Sequence, residues 1–231
     1  MFEHDLQGAL GYLPSQQTPF EFDIHAKFNP EGFSQYNIIP GLISVLMFTT
    51  LTLLTAMSIT AEYEVGTFET LLITPLSAAN IILGKVIPHF IVGYLILFML
   101  LIISFFVFSV PFYGSFLLYL FIMAPYSIGS LAMGLAISAF AKTQFQAVAS
   151  TNAYILVAVM ISGFLFPFSG MPMWAQYISQ LIPLTHFLRV TRNIMLKGAD
   201  FSILWPDIWP ILLFMVFIVI SATLLFRKTL D

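Results

Sequence analysis

Long uncharged stretches dominate the pattern of this chain. No Asp, Glu, Lys or Arg occurs from Gly32 to Ala61, from Val86 to Ala141, or from Thr143 to Leu188. A helix that crosses the hydrocarbon core of a bilayer needs about 20 mostly apolar residues. The stretches are long enough for this, so they predict membrane-spanning helices.

Five spans fit between the charged and turn-forming positions. The second stretch holds two of them, separated by the turn-like sequence from Val110 to Gly114, and the last span stops at Arg227 and Lys228. The predicted fold is an all-α polytopic bundle in a membrane. Its transmembrane domain covers residues 38–231, and the expected spans are 38–60, 86–108, 116–140, 145–166 and 208–226.

The first 37 residues have a different pattern. They carry six charged residues, and three prolines interrupt any helical period. A basic start followed by an apolar run, which is typical of a signal peptide, is not present in them. We expect residues 1–37 to be the end of a water-exposed region that leads into the first span.

The composition agrees with a lipid environment and excludes several classes. Only 8% of the 231 residues are charged and 59% are hydrophobic, whereas soluble domains carry about 25% charged residues. A disordered chain would be less apolar. A net charge of −3 without a basic run excludes a nucleic-acid binder that works by charge, and zero cysteines exclude a disulfide scaffold.

The basic residues do not decide which side of the membrane each loop faces. Cytoplasmic loops usually carry an excess of Lys and Arg. With the N-terminus outside, four basic residues would lie inside and four outside: Lys85, Lys142, Arg227 and Lys228 against Lys27, Arg189, Arg192 and Lys197. The counts are equal, so sidedness needs another argument.

A short amphipathic helix is predicted between the first two spans, from Glu62 to Pro75. Glu62 and Glu69 are seven residues apart and share one face, and Pro75 ends the pattern. An i, i+3, i+4 pattern groups three apolar side chains on another face: Phe68, Leu71 and Leu72. The segment is either a solvated connector or a docking helix for a partner protein.

A metal site made of Glu62, Glu64 and Glu69 is a weaker interpretation of the same segment. No histidine lies nearby in the sequence, and the ligand spacing of helical zinc sites is absent.

Two further short helices are predicted between the last two spans, in the stretch from Pro167 to Asp207. Trp174 begins an apolar i, i+3, i+4, i+7 pattern that Pro183 interrupts. A second helix, Leu184 to Lys197, would end at Gly198. Its basic residues would lie in or near the last turns, where they suit the helix dipole: Arg189, Arg192 and Lys197. Such a re-entrant or interfacial hairpin is either an anchor or a gate over a transport path.

Small and hydroxyl residues recur inside two of the spans. Ser130, Gly134 and Ser138 repeat every four residues, a spacing that lets membrane helices approach closely. Thr49, Thr52 and Thr55 step by three along the first span. These threonines either line a polar cavity or bond back to their own helix.

Motifs for local energy conversion are missing from the chain. Gly84-Lys85 lacks the earlier glycine and the following hydroxyl residue of a phosphate loop. The four histidines are scattered, and no chain of acids and bases runs through the spans. If the chain moves a solute, the energy must come from another subunit.

Four stretches give the chain a family resemblance. Phe28–Glu31 with Ile39–Ile43, the segment Glu62–Pro75, the segment Pro183–Gly198, and the end Arg227–Asp231 resemble the permease subunit of type-2 ABC exporters. The similarity is to the bacterial branch that exports drugs, lipids or glycans, and it covers about Phe28 to the C-terminus. The second stretch is the most specific, and it resembles the family's cytoplasmic coupling segment through eight residues: Glu62, Glu64, Gly66, Thr67, Glu69, Leu71, Thr74 and Pro75.

The resemblance implies roles that the residue patterns left open. A separate ATPase would bind ATP and Mg and dock on the coupling segment, so this chain would hold no cofactor, metal or catalytic residue. Two permease subunits would form the path in the bacterial inner membrane, with the N-terminus outside and the C-terminus in the cytoplasm. The external gate would comprise Trp174, Pro183, Arg189, Arg192, Lys197 and Gly198.

The chain departs from this family in one respect. Such permeases have six spans, and the drug-export branch has a long external domain after the first; with five spans predicted, we expect the first to be missing here. A truncated, nonfunctional or scaffold-like membrane protein is therefore the alternative interpretation. A membrane-embedded enzyme using Glu62, Glu64 and His89 is a third, and the sequence does not identify the exported substrate.

Overall fold

The computed structural model describes residues 34–66 and 78–228. Within them the chain forms seven α-helices and one turn of 3-10 helix, Phe168–Gly170. The α-helices are α1 (Ser34–Val65), α2 (Ala78–Phe106), α3 (Phe116–Ser138), α4 (Gln144–Ile161), α5 (Met173–Ser179), α6 (Pro183–Lys197) and α7 (Phe201–Lys228).

The predicted number of spans is confirmed. Within the described ranges, five helices are long and apolar enough to cross a membrane: Gln35–Val65, Leu83–Phe106, Phe116–Ser138, Gln144–Ile161 and Phe201–Leu225. The protein is therefore a multi-pass membrane protein whose described ranges are all-helical, as the uncharged stretches indicated.

Two helices have limits that differ from the spans predicted for them, for local reasons. The fourth span ends at Ile161 instead of residue 166, because Gly163 adopts a φ of +86° and turns the chain. The last helix begins at Phe201 instead of residue 208, since it continues through Pro206 and Pro210. Proline removes a backbone donor, which weakens a helix but does not always end it.

The predicted docking helix does not begin at Glu62. Glu62 and Glu64 belong to the last turn of α1, which continues to Val65. Gly66 then adopts a φ of +78°, a left-handed conformation that favours glycine, and its amide donates to the carbonyl of Tyr63 (3.3 Å). The other predicted coupling residues, Thr67, Glu69, Leu71, Thr74 and Pro75, lie outside the described residues.

α1 is central to the bundle. It packs against α2, α3, α4 and α6, while α7 packs mainly against α3 and α6. Phe48 of α1, Tyr126 of α3 and Phe187 of α6 are fully or almost fully buried. The rings of Tyr126 and Phe187 stack with their centroids 3.8 Å apart. Aromatic stacking thus joins three helices in one core.

Small residues bring α1 and α3 into backbone contact. A Cβ added at Gly134 would lie 2.4 Å from the carbonyl oxygen of Thr52 and 2.9 Å from the Cβ of Thr55. The hydroxyl of Thr52 donates to the carbonyl of Ser130 (3.2 Å), and that of Thr55 donates back to Leu51 (3.1 Å). These two threonines therefore serve helix contact and back-bonding.

α5 and α6 differ in their surroundings. Ten of the residues of α6 are buried, so this helix enters the bundle. In contrast, Trp174 and Tyr177 of α5 are 64% and 72% exposed. Gly198 ends α6 with a φ of +62°, as predicted. Lys197 lies in the last turn of α6, and Arg192 and Arg189 lie about one and two turns before it.

Candidate functional site

Two polar clusters lie at opposite ends of the bundle. We call them the Glu62 end, which holds Glu62, Lys85 and Gln144, and the Arg192 end, which holds Arg192 and Asp207. α1 runs from one to the other, because its first turns contact Arg192 and its last turn contains Glu62.

An ion pair joins α1 to α2 at the Glu62 end. The Nζ of Lys85 contacts the Oε2 of Glu62, and the two side chains are 15% and 32% exposed. In the sequence, Glu62 precedes and Lys85 follows residues 67–77, which connect the two helices. The ion pair therefore holds the end of α1 close to the start of α2.

A second contact joins α1 to α4. The Oε2 of Glu64 accepts a hydrogen bond from the backbone amide of Gln144 (3.0 Å) at the start of α4. The hydroxyl of Thr143 caps the same helix by accepting from the amide of Gln146 (3.2 Å). A carboxylate at a helix N-terminus also interacts favourably with the helix dipole. The last turn of α1 is thus fastened to both α2 and α4.

A cavity of about 350 Å³ adjoins these contacts. Its walls come from Tyr63 on α1 and from the end of α3 with the following loop, Ser138 to Lys142. The arrangement forms a concave surface at the Glu62 end, next to the last turn of α1.

Arg192 connects three elements at the other end. Its Nε donates to the carbonyl of Asn37 on α1 (3.2 Å), and its Nη1 donates to the carbonyl of Gly163 after α4 (3.4 Å). Burial lowers the pKa of this guanidinium, because the charged form loses solvation. Its hydrogen-bond acceptors in the described part of the chain are neutral carbonyls.

Asp207 of α7 holds two side chains of α6. Its Oδ1 accepts from the Nη1 of Arg189 (3.2 Å) and lies 2.9 Å from the Nδ1 of His186. The Nε2 of His186 lies 2.9 Å from the carbonyl of Gln180. Both ring nitrogens of His186 therefore lie within hydrogen-bond distance of an oxygen. Arg189 also lies over the ring of Phe168, 4.7 Å from its centroid.

The predicted gate residues do not form one group. Arg189 and Arg192 line the same cavity of about 250 Å³, Pro183 is buried at the first turn of α6, and Trp174 and Lys197 are exposed. The partners His186, Asp207 and Asn37 were missed. An acidic residue at 207 was visible in the sequence, but its pairing depends on how α6 packs against α7.

The described residues do not form a metal centre. No three His, Asp or Glu side chains among them are arranged to hold an ion. Of the three carboxylates in the weaker metal-site interpretation, Glu62 contacts Lys85 and Glu64 contacts the start of α4, and Glu69 lies outside the described residues.

Comparison with known proteins gives a family match. The model of the family described as "ABC-2 type transporter" matches residues 10–196. The chain is 31% identical over 201 residues to the "Probable multidrug ABC transporter permease YbhR" of Escherichia coli K12, covering 87% of this chain and 55% of that protein. It is 34% identical over 172 residues to the "Probable multidrug ABC transporter permease YbhS" of the same organism, covering 74% of this chain and 46% of that protein.

A more distant similarity reaches beyond bacteria. The "ABC transporter G family member 20" of Dictyostelium discoideum is 24% identical over 189 residues, which cover 81% of this chain and 26% of that protein. The chain thus spans about half the length of the bacterial relatives it matches, and less of this one.

Proposed function

The chain belongs to the ABC-2 type transporter family, and we propose that it is the membrane-spanning subunit of an exporter driven by a separate ATPase. ATP and Mg are bound and hydrolysed by that ATPase, and this chain contributes no catalytic residue. The five spans and the names of the relatives, which include "multidrug" and "permease", support this function.

The contacts at the Glu62 end carry the proposal. The ATPase docks on the segment from Glu62 to Pro75, and its closure displaces this segment as a rigid body. The Glu62–Lys85 ion pair and the Glu64–Gln144 hydrogen bond pass that displacement to α2 and α4. Because α1 also packs against α6, the motion reaches the Arg192 end.

The same mechanism gives the Arg192 end its role. α5 and α6 close the exit on the external side, and two permease subunits, identical or different, form the path between them. The Glu62 end faces the cytoplasm of a bacterial inner membrane, with the C-terminus on that side. In this arrangement, Asp207 of α7 contacts Arg189 and His186 of α6, and these contacts hold α6 against α7 while the exit is closed.

A glycine substitution at the docking segment tests this function. Gly66→Ala should reduce co-purification of the ATPase and ATP turnover by the complex, because alanine is strained at a φ of +78° and redirects the chain that follows. The strain arises although no atom lies within 4 Å of an added Cβ. The matched control is Gly84→Ala, which has similar open space but no positive φ.

The two variants must differ for the docking role to hold. Equal co-purification and equal ATP turnover for Gly66→Ala, Gly84→Ala and the unchanged chain would contradict it. A panel of dyes and lipids, supplied to proteoliposomes that contain both subunits, then identifies the class of cargo. ATP-independent uptake or release across the whole panel would contradict an ATP-driven exporter.

A further inference from the structure

Two cavities of different character adjoin each other at the Arg192 end. The first, about 250 Å³, is lined by Arg189 and Arg192 together with the chain around Gly163, and we call it the cationic cavity. The second, about 390 Å³, is lined by side chains such as Met160, Phe166 and Trp174, and we call it the apolar cavity. Pro167 lines both, so the two cavities are neighbours on either side of this residue.

The cationic cavity carries more positive than negative charge. Asp207 is the one carboxylate that pairs with either arginine in the described part of the chain, and it pairs with Arg189. Arg192 donates to two backbone carbonyls, which leaves its charge uncompensated there. The Nη2 of Arg189 is buried without a hydrogen-bond partner among the described residues. Burying a guanidinium is costly, and an anion beside it would offset that cost.

α1 leaves room for the arginine that would bind such an anion. A Cβ added at Gly41 would lie 2.7 Å from the Cδ2 of Phe164 and 3.2 Å from the Nη2 of Arg192. Glycine at this position therefore allows the ring and the guanidinium to lie directly against the helix. Arg192 donates to Asn37 through Nε and to Gly163 through Nη1, so Nη2 takes no part in these two hydrogen bonds.

The two cavities lie where the spans end. The α4 span stops at Ile161, and the cationic cavity begins at Ser162, immediately after it. Met160 and Ile161, which line the apolar cavity, are in the last turn of that span. Lipid headgroups lie at the ends of spans, and both cavities adjoin the end of the α4 span, where a headgroup and the start of its acyl chains would meet the protein.

We propose that the two cavities together bind one anionic phospholipid of the surrounding bilayer. Its phosphate accepts hydrogen bonds from Arg192 in the cationic cavity, and part of an acyl chain fills the apolar cavity. Arginine matches phosphate with two parallel donors, and basic pockets between membrane helices are common sites for lipid headgroups. The bound lipid joins α1, α4 and α6, and the inference stands whether or not the chain is an exporter.

Lipid binding to the purified full chain tests the proposal. In native mass spectra of the protein in detergent, more bound phosphatidylglycerol than bound phosphatidylcholine should be observed when both lipids are supplied equally. Arg192→Gln should weaken phosphatidylglycerol binding roughly tenfold, the loss expected for a charge-assisted hydrogen bond. Lys197→Gln removes the same charge from an exposed position of the same helix, and it should bind as the unchanged chain does.

A second pair of variants tests whether an acyl chain occupies the apolar cavity. Gly170 lines the apolar cavity and has open space around it, so Gly170→Leu should partly fill that cavity and weaken lipid binding. Gly84→Leu, also in open space but on α2, should not. This pair keeps the proposal testable if Arg192→Gln does not fold, because it leaves both arginines in place.

Soluble glycerol phosphate separates a lipid from a free phosphate ester. The proposal predicts that it binds much more weakly than phosphatidylglycerol. If it binds equally well and Gly170→Leu has no effect, the ligand is a soluble anion and the lipid assignment is wrong. Equal binding of phosphatidylglycerol and phosphatidylcholine, or unchanged binding by Arg192→Gln, would also overturn the proposal.

Discussion

Gly134 is the residue at which the backbones of α3 and α1 meet. The carbonyl oxygen of Thr52 occupies the space next to it, only 2.4 Å from where a Cβ would lie. Backbone atoms cannot move aside as the end of a long side chain can. The small residue is therefore required by the packing of two spans.

Gly134→Ala should destabilise the bundle by about 1–3 kcal/mol, the usual cost of overpacking a tight contact. The melting temperature in detergent is the measurement. Gly170→Ala is the matched control, because no atom lies within 4 Å of a Cβ added at Gly170. If Gly134→Ala melts at the same temperature as this control, the close contact between α1 and α3 is wrong.

Residue roles were predictable only where they depend on local sequence. Gly198 as the end of α6 follows from the helical pattern before it, and the structure confirms it. Arg189 and Arg192 were assigned to the helix dipole, but Arg189 contacts Asp207 and Arg192 contacts Asn37 and Gly163. Such partners are distant in sequence, so no spacing rule reveals them.

At the scale of elements, α1 acts as the connecting helix. It extends without interruption from the contact with Arg192 to the ion pair with Lys85. The sequence predicted a separate docking helix that begins at Glu62, because the amphipathic pattern from Glu62 to Pro75 differs from the uncharged stretch before it. The helix boundary lies four residues later, at Gly66, since backbone hydrogen bonding continues across the change of pattern.

Charge reversal tests whether the ion pair joins α1 and α2. Glu62→Lys or Lys85→Glu alone should lower the free energy of unfolding by about 2 kcal/mol, as expected for losing a hydrogen bond between charged groups. It should also reduce ATP-driven transport. The double variant restores opposite charges at the same positions, so it should recover most of both losses.

Lys142→Glu is the control for this cycle, because it reverses an exposed charge at the same end of the bundle. It should leave the free energy of unfolding close to that of the unchanged chain; it is a control for stability alone, because Lys142 lines the cavity at the proposed docking end. Additive losses in the double variant would show that Glu62 and Lys85 do not interact.

At the scale of the whole molecule, composition predicted the environment but not the sidedness. The scarcity of charge indicated a membrane bundle, and the five described spans confirm it. The resemblance to type-2 ABC exporter permeases is confirmed by the family match. Four basic residues on each side left the orientation to that resemblance, and it stays a prediction.

Single cysteines can determine the orientation, because the chain has none of its own. A membrane-impermeant maleimide should label Lys197→Cys in spheroplasts and should label Lys142→Cys only after the membrane is opened. The opposite pattern would mean that the Arg192 end faces the cytoplasm, which would contradict the proposed docking side.

Crosslinking to the ATPase tests the central claim most directly. A photoreactive amino acid at Val65, which is 72% exposed at the end of α1, should crosslink to a subunit that mass spectrometry identifies by its phosphate-loop peptide. The same amino acid at Leu181, 76% exposed near the other end, should not. Crosslinking of that subunit from Leu181, or its absence from Val65, would contradict a permease whose Glu62 end docks the ATPase.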